Sequence, residues 1–345
     1  MPAVRRPLSL CALATALLLA GCTGTGDEPS PSRAPRIAVD IPRSDSDFWN
    51  SFGARLAEDR TTAADTELLP VTFSDGDVQR LIDHLGAFRR AGAKGVVIAP
   101  QDTRAAAADL DRLAAADIGV VSVDTRPESG WVYMVVRADN RAHGTKACEF
   151  LGGKLGGKGS LVVLQDSLDS LNSYERSQAF ARCMQSSFPK ITVHRVDTGG
   201  STEKAAAALK ELLVTDPGLD GVYLQGGSPF LEPVLTTLQA RGRLVPAGRP
   251  GHLTVVSNDG TPPELAAIRT GLIDATVSQP VDLYAHYALF YAHAAATGRR
   301  FEPGPTDHGS TIVAIPNGLE DQLPATLVTR QNADDPALWG NRTLR

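Results

Sequence analysis

The chain of 345 residues is longer than one hydrophobic core usually organises, so two domains, or one large α/β unit with a processing segment, are expected. Hydrophobic residues at 42%, charged residues at 21%, 32 Gly and 23 Pro describe an ordinary globular chain and exclude a fibrous or coiled-coil one. With 39 acidic and 34 basic residues the net charge is −5, which excludes the basic surplus of a nucleic-acid-binding face, and the composition excludes several membrane spans.

At the N-terminus Arg5 and Arg6 precede an uncharged stretch whose apolar core, residues 8–20, is 13 residues long. That is too short to cross a bilayer and suits an export signal. Leu19-Ala20-Gly21-Cys22 resembles the lipobox of bacterial lipoproteins, which implies cleavage before Cys22 and lipid on its thiol. The expected products are a signal peptide over 1–21 and an exported chain held on the outer face of the cell membrane by Cys22. Removal of Arg5 and Arg6, with no acidic residue, deepens the net charge by two to −7. Residues 22–35, rich in Gly, Ser and Pro, read as a flexible tether.

From residue 36 the chain alternates. Short β-branched runs at 37–41, 71–73, 95–99, 120–123 and 132–136 are separated by helical stretches near 48–62, 77–91 and 103–116, the pattern of βαβ units feeding a parallel sheet. The pattern then restarts, with strands at 161–164, 191–196, 222–224, 253–256 and 275–277 and helices near 142–155, 171–186, 202–214, 230–241 and 262–270. A helix near 281–297 and a strand near 311–315 follow. Two doubly wound, Rossmann-like lobes joined by several crossings are expected, their strand ends at a common edge. Cys11 leaves with the signal and Cys22 takes lipid, so Cys148 and Cys183, each in a predicted helix of the second set, are left as a candidate disulfide or as two separate buried thiols. No spacing suggests a metal or cofactor.

Ligands of such sheets bind beyond the carboxyl ends of the strands. The residues there are Arg43, Asp47, Phe48 and Trp49, then Asp124 and Arg126, then Asp139 and Asn140; in the second set they are Gln165 and Asp166, Gln225 with Gly226 and Gly227, Asn258 and Asp259, and Gln279. Carboxylates and amides pair with hydroxyls, and Phe and Trp faces pack on the C–H face of a sugar ring, so the collection suits a polyhydroxylated ligand. For Asp139 and Asp166 helix capping or hinge structure is an equally good reading.

Ser46-Asp47-Phe48-Trp49, Val121-Ser122-Val123-Asp124, Ala138-Asp139-Asn140, Arg176 four residues before Phe180, Val256-Ser257-Asn258-Asp259-Gly260-Thr261-Pro262 and Ala275-Thr276-Val277-Ser278-Gln279-Pro280 resemble, in order and spacing, the periplasmic sugar-binding proteins of ABC importers, ribose-binding type. The resemblance covers nearly all of 36–315, and the tail around Trp339-Gly340-Asn341 resembles a C-terminal extension of this class. It implies the type 1 periplasmic-binding-protein architecture, two lobes joined by three hinge crossings near 138–139, 279–280 and 308–311. The implied N-terminal lobe is 36–138 plus 280–308, the C-terminal lobe 139–279 plus 309–331, and the tail 332–345. Carried over, Phe48 and Trp49 stack on the sugar, while Asp47, Asp124, Arg176, Asn258, Asp259 and Gln279 complete the contacts. The implied partners are a membrane permease with its cytoplasmic ATPase; no nucleic acid is involved and a monomer is expected.

The chain departs from the ribose pattern at Ala99, at Thr125 in place of an arginine, and at Gly226-Gly227 in place of Asn-Asp, which implies a ligand other than ribose. Arg43, Arg126 or Tyr174 are candidates to compensate, and the two glycines suggest room for a larger ligand or a backbone contact. Sugar-responsive repressors share the fold but carry a DNA-binding headpiece where this chain has a lipobox. A receptor read by a membrane sensor is the alternative output. Enzymatic signals are thin: the glycine run 152–159 lacks the Ser/Thr of a phosphate loop and precedes a strand. His286 and His293 read as packing at a core edge, and no GxSxG elbow or HExxH exists.

Overall fold

The computed structural model describes residues 34–59 and 65–342. The signal peptide, Cys22, most of the tether and the last three residues of the tail lie outside the described residues.

The first series runs β1 (Arg36–Ile41), α1 (Asp47–Asp59), β2 (Glu67–Leu68), β3 (Thr72–Phe73), α2 (Val78–Arg90), β4 (Gly95–Ile98), α3 (Ala107–Ala114), β5 (Gly119–Val123) and β6 (Met134–Ala138). The second runs α4 (Asn140–Lys154), β7 (Lys158–Gln165), α5 (Leu171–Ser187), β8 (Lys190–Asp197), α6 (Thr202–Thr215), β9 (Gly221–Leu224), α7 (Ser228–Ala240), β10 (Thr254–Asp259), α8 (Pro262–Thr270) and β11 (Ala275–Ser278). The chain ends with α9 (Val281–Ala296), β12 (Gly304–Pro305), β13 (Thr311–Ile315), β14 (Gly318–Leu323), β15 (Thr326–Thr329) and a 3-10 turn, Trp339–Asn341.

Two mainly parallel sheets result. The first is ordered β12-β13-β14-β6-β5-β4-β1-β2, with β3 also on β1; the second is β15-β11-β10-β9-β7-β8. Taking β2 and β3 as one interrupted strand, both sheets share the order second, first, third, fourth, fifth. The reversal falls between β1 and β4 in one and between β7 and β9 in the other, and those are the crevices where doubly wound sheets bind ligands. Strand interiors such as Val96, Val97, Val120 and Val121 are fully buried because helices cover both faces. In the first lobe α1 and α9 pack one face while α2 and α3 pack the other. In the second, α6, α7 and α8 lie opposite α4 and α5.

The end of the chain differs from the expectation. β13 and β14 belong to the first sheet, β14 running parallel to β6 from Glu320 opposite Val135 to Leu323 opposite Ala138. The chain therefore passes between sheets at residues 324–325, not near 308–311, and only β15, antiparallel to β11, joins the second sheet. β14 reads GLEDQL, too polar to be recognised as a strand, yet Glu320 and Asp321 are wholly buried. Their partners make this tolerable: Glu320 pairs with Arg137 at 3.2 Å, and Asp321 accepts from Tyr291 at 3.0 Å.

Cys148 on α4 and Cys183 on α5 form a disulfide, their Cα atoms 6.2 Å apart. The two helices approach closely because residue 144 is glycine; a Cβ there would collide with the Arg176 carbonyl oxygen. The same helix pair that is stapled thus presents Arg176 to the cleft.

Candidate functional site

Polar residues stand at or just after the carboxyl ends of β5, β6, β7, β9, β10 and β11: Asp124, Asp139, Gln165, Gln225, Asp259 and Gln279. A cavity of about 490 Å³ lies there, lined by Asp47, Phe48, Trp49 and Asp124 from the first lobe and by Asp166, Asn172, Arg176 and Asp259 from the second, with Gln279 at a crossing. Seven of the eight sequence-predicted contact residues therefore meet in one place. The eighth, Asn258, does not: it is fully buried behind the wall, donating to Tyr223 Oη (3.1 Å) and the Gln225 carbonyl (3.0 Å). Successive side chains of a strand point to opposite faces, so Asn258 and Asp259 cannot both face the cavity.

The aromatic pair is not a double platform. Phe48 and Trp49 lie 4.8 Å apart with their planes at 88°, so they offer one face and one edge rather than two stacked faces. Both are held from behind, Trp49 by Phe52 at 5.6 Å and Phe48 by Trp339 at 6.0 Å. Trp339 comes from the tail, and its indole N–H donates to the Asp259 carbonyl at 2.8 Å. One tail residue thus braces an aromatic of the first lobe and a carboxylate-bearing residue of the second.

Asp124 and Asp259 sit on left-handed backbone, with φ of 60° and 92°. Such strain persists where surrounding bonds over-determine it. Here they do: Tyr284 Oη accepts from the Ala138 N–H (2.8 Å) and faces Asp124 Oδ1 (3.3 Å) and Gln279 Oε1 (3.2 Å). Gln279 Nε2 in turn donates to Asp259 Oδ1 at 3.2 Å. A continuous chain of bonds joins the carboxylates of the two lobes through the crossing at 279. Asn172 of the second lobe donates to Asp124 at 3.3 Å, and Arg137 of the first lobe pairs with Glu175 of the second at 2.9 Å, so the lobes are in contact across the cleft.

Burial raises both carboxyl groups above the ordinary aspartate value; Arg176 opposes this at each, and Asp124 and Asp166 add to it at Asp259. Arg176 is itself fixed by Asn140, to which its Nε donates at 2.7 Å. Desolvated acceptors beside a fixed guanidinium favour a ligand rich in hydroxyls, which donates to the carboxylates and accepts from the arginine.

Asp139 caps α4, accepting from the Ala142 N–H at 2.9 Å, while Asp166 faces the cavity and accepts from Ser173. Gly226 lines the cavity, and packing requires glycine at both positions. A Cβ on Gly227, at φ 65°, would fall on the Asp259 carboxylate, and one on Gly226 on the Phe230 ring. Sequence reading missed Asn172 and Tyr284 because nothing local marks a helix residue whose partner is 48 or 160 positions away. His286 and His293 stand away from the cleft, His293 bonded to Thr66 Oγ1 at 2.8 Å.

A family model described as "Periplasmic binding protein domain" matches residues 37–300. The chain belongs to that family. Among curated members it is 24% identical to the xylitol-binding protein of Mycolicibacterium smegmatis over 85% of this chain and 80% of that one. It is also 24% identical to the ribose import binding protein RbsB of Escherichia coli, over 55% of this chain and 62% of that one. A crystal structure of a sugar-binding protein of a sugar ABC transporter from Bacillus halodurans aligns with a TM-score of 0.70 at 21% identity, covering 87% of this chain and 99% of that one. That likeness shows the two-lobed periplasmic-binding fold.

Proposed function

We propose that this periplasmic binding protein captures a sugar or polyol between its closing lobes and delivers it to the permease of an ABC importer. The observation that carries the reading is the cavity where Phe48 of one lobe faces Asp166 and Arg176 of the other, with Asp124 and Asp259 contributed one from each. An aromatic face suits the C–H side of a ring, and the charged groups suit its hydroxyls. The names of the curated relatives, xylitol-binding and ribose import, support the same ligand class.

No bond of the ligand is made or broken. A ligand that touches Phe48, Trp49 and Asp124 together with Arg176 and Asp259 gains its full contacts only with the lobes closed, so it shifts the population towards closure. Gln279, at a crossing, ties that closure to the hinge. The closed form docks as a monomer on the permease, and lipid on Cys22 keeps the receptor beside it; two or more acyl chains hold such an anchor stably.

The test is thermal unfolding across pentoses, hexoses, polyols, inositols and small disaccharides. A ligand at about a thousand times its Kd adds roughly 4 kcal/mol of stability. One strong shift with the ligand recovered unchanged is expected. A flat response over the whole panel removes the carbohydrate reading, and recovery of altered ligand would make the protein an enzyme.

A further inference from the structure

The cleft does not end at the cavity just described. A second space of about 940 Å³ opens from it, sharing Trp49, Asp124, Asp166, Asn172 and Asp259 and continuing outward past Gln101, Arg126 and Tyr174. Asn172 lines both spaces and bonds across the cleft to the Asp124 carbonyl at 3.2 Å, and Arg137 bonds across to Glu175, so the lobes are tied at this depth while the outer space stays open.

Size and lining both bear on what fits. The inner cavity alone lies within the roughly 300–1,000 Å³ of ordinary small-ligand pockets, and the outer one is larger still. The outer walls carry an amide at Gln101, a guanidinium at Arg126 and a carboxylate at Asp169, donors and acceptors of the kind hydroxyls need. Tyr174, 50% exposed, places an aromatic ring on the second lobe's side. Thr125 lines the outer space where the ribose-type pattern has an arginine; its short side chain leaves the way outward open.

We propose that the ligand is two linked units, a disaccharide or a glycoside, with one ring in the inner cavity and the second unit in the outer space. This deepens the carbohydrate reading and rests on it. An inner ring held by Arg176 and Asp259 directs its substituent past Asn172, and Tyr174 supplies for the second unit what Phe48 supplies for the first.

The experiment is calorimetric titration of the full chain, extracted in a detergent without a sugar headgroup, with matched probes. They are xylose and xylobiose, glucose with maltose, cellobiose and trehalose, galactose and lactose, and ribose and xylitol alone. The expected result is one glycoside that binds at least about tenfold more tightly than its own monosaccharide. Tyr174→Ala and Thr125→Arg should each erase that gain while affinity for the small unit and the ligand-free melting temperature stay as in the parent. Monosaccharides that bind as well as or better than every glycoside overturn the proposal and leave the carbohydrate reading standing. An equal loss for both members of a pair in these variants also overturns it. No binding by any probe overturns both.

Discussion

The two lobes are built on one strand order and line the cavity from equivalent places. Asp124 follows β5, the fourth strand of its lobe, and Asp259 ends β10, the fourth strand of the other; both have positive φ, and each is desolvated. The fifth strands, β6 and β11, both run straight into crossings, at 138–139 and 279–280. After the first strands the likeness stops: the loop after β1 leads into Phe48 and Trp49, and the loop after β7 carries Asp166. A repeated backbone therefore supplies two matched hydrogen-bonding acceptors, and the unmatched loops give the cleft one apolar and one polar wall. A sugar ring has that same asymmetry between its C–H face and its hydroxyl rim.

Stability should break the likeness most. The disulfide lies in the second lobe and closes a loop of 35 residues, so its loss should cost roughly 3–4 kcal/mol there by the chain-entropy model. Denaturant unfolding of the double variant Cys148→Ser, Cys183→Ser, followed by hydrogen exchange in each lobe, would show β7–β11 opening earlier with β1–β6 unaffected. Equal weakening of both lobes would mean that they unfold as one unit. Ligand affinity should restore the likeness. Asp124→Asn and Asp259→Asn, which keep a residue tolerant of left-handed backbone, should each cost about 1.5–3 kcal/mol of binding. A titration in which only one matters would assign the ligand to one lobe.

The link between the carboxylates is tested by Tyr284→Phe. The ring still fills its core site, but the Ala138 N–H loses its acceptor and Asp124 and Gln279 lose a shared donor. An expected cost of about 1–3 kcal/mol in folding stability should come with weaker ligand binding. Unchanged binding would leave Tyr284 a purely structural residue.

The smallest effect concerns pH. Burial, with Asp259 nearby, raises the Glu264 carboxyl above its usual 4.5, so the folded chain keeps a proton that the unfolded chain releases. That contribution is complete below the unfolded value and is lost as pH rises through the folded one. Glu264→Gln keeps the cap on the Thr261 N–H, which Glu264 accepts at 2.8 Å, without the titration. Its melting temperature should therefore gain on the parent's as pH rises from about 5 to 8. A constant difference would show that Glu264 does not titrate in that range.

Of the seven predicted residues that line the cavity, six were legible because they follow strands whose β-branched runs are visible locally, whereas Arg176, inside α5, was read from the family resemblance. Asn258 was misassigned for want of strand phase, which reverses a side chain between neighbouring positions. That Asp259 and Phe230 require glycine at 227 and 226 is shown only by packing.

By itself the sequence determined the alternation of strands and helices, the two-lobed class and the identity of most cleft residues, since period-2 and period-3.6 patterning and strand-end chemistry are local. The tertiary structure alone decided that β14 joins the first sheet, that the third passage lies at 324–325, that Trp339 returns to brace Phe48 and Asp259, and that Tyr284 links the two carboxylates. Each depends on a buried polar group finding a partner far along the chain, and local pattern carries no record of such pairings.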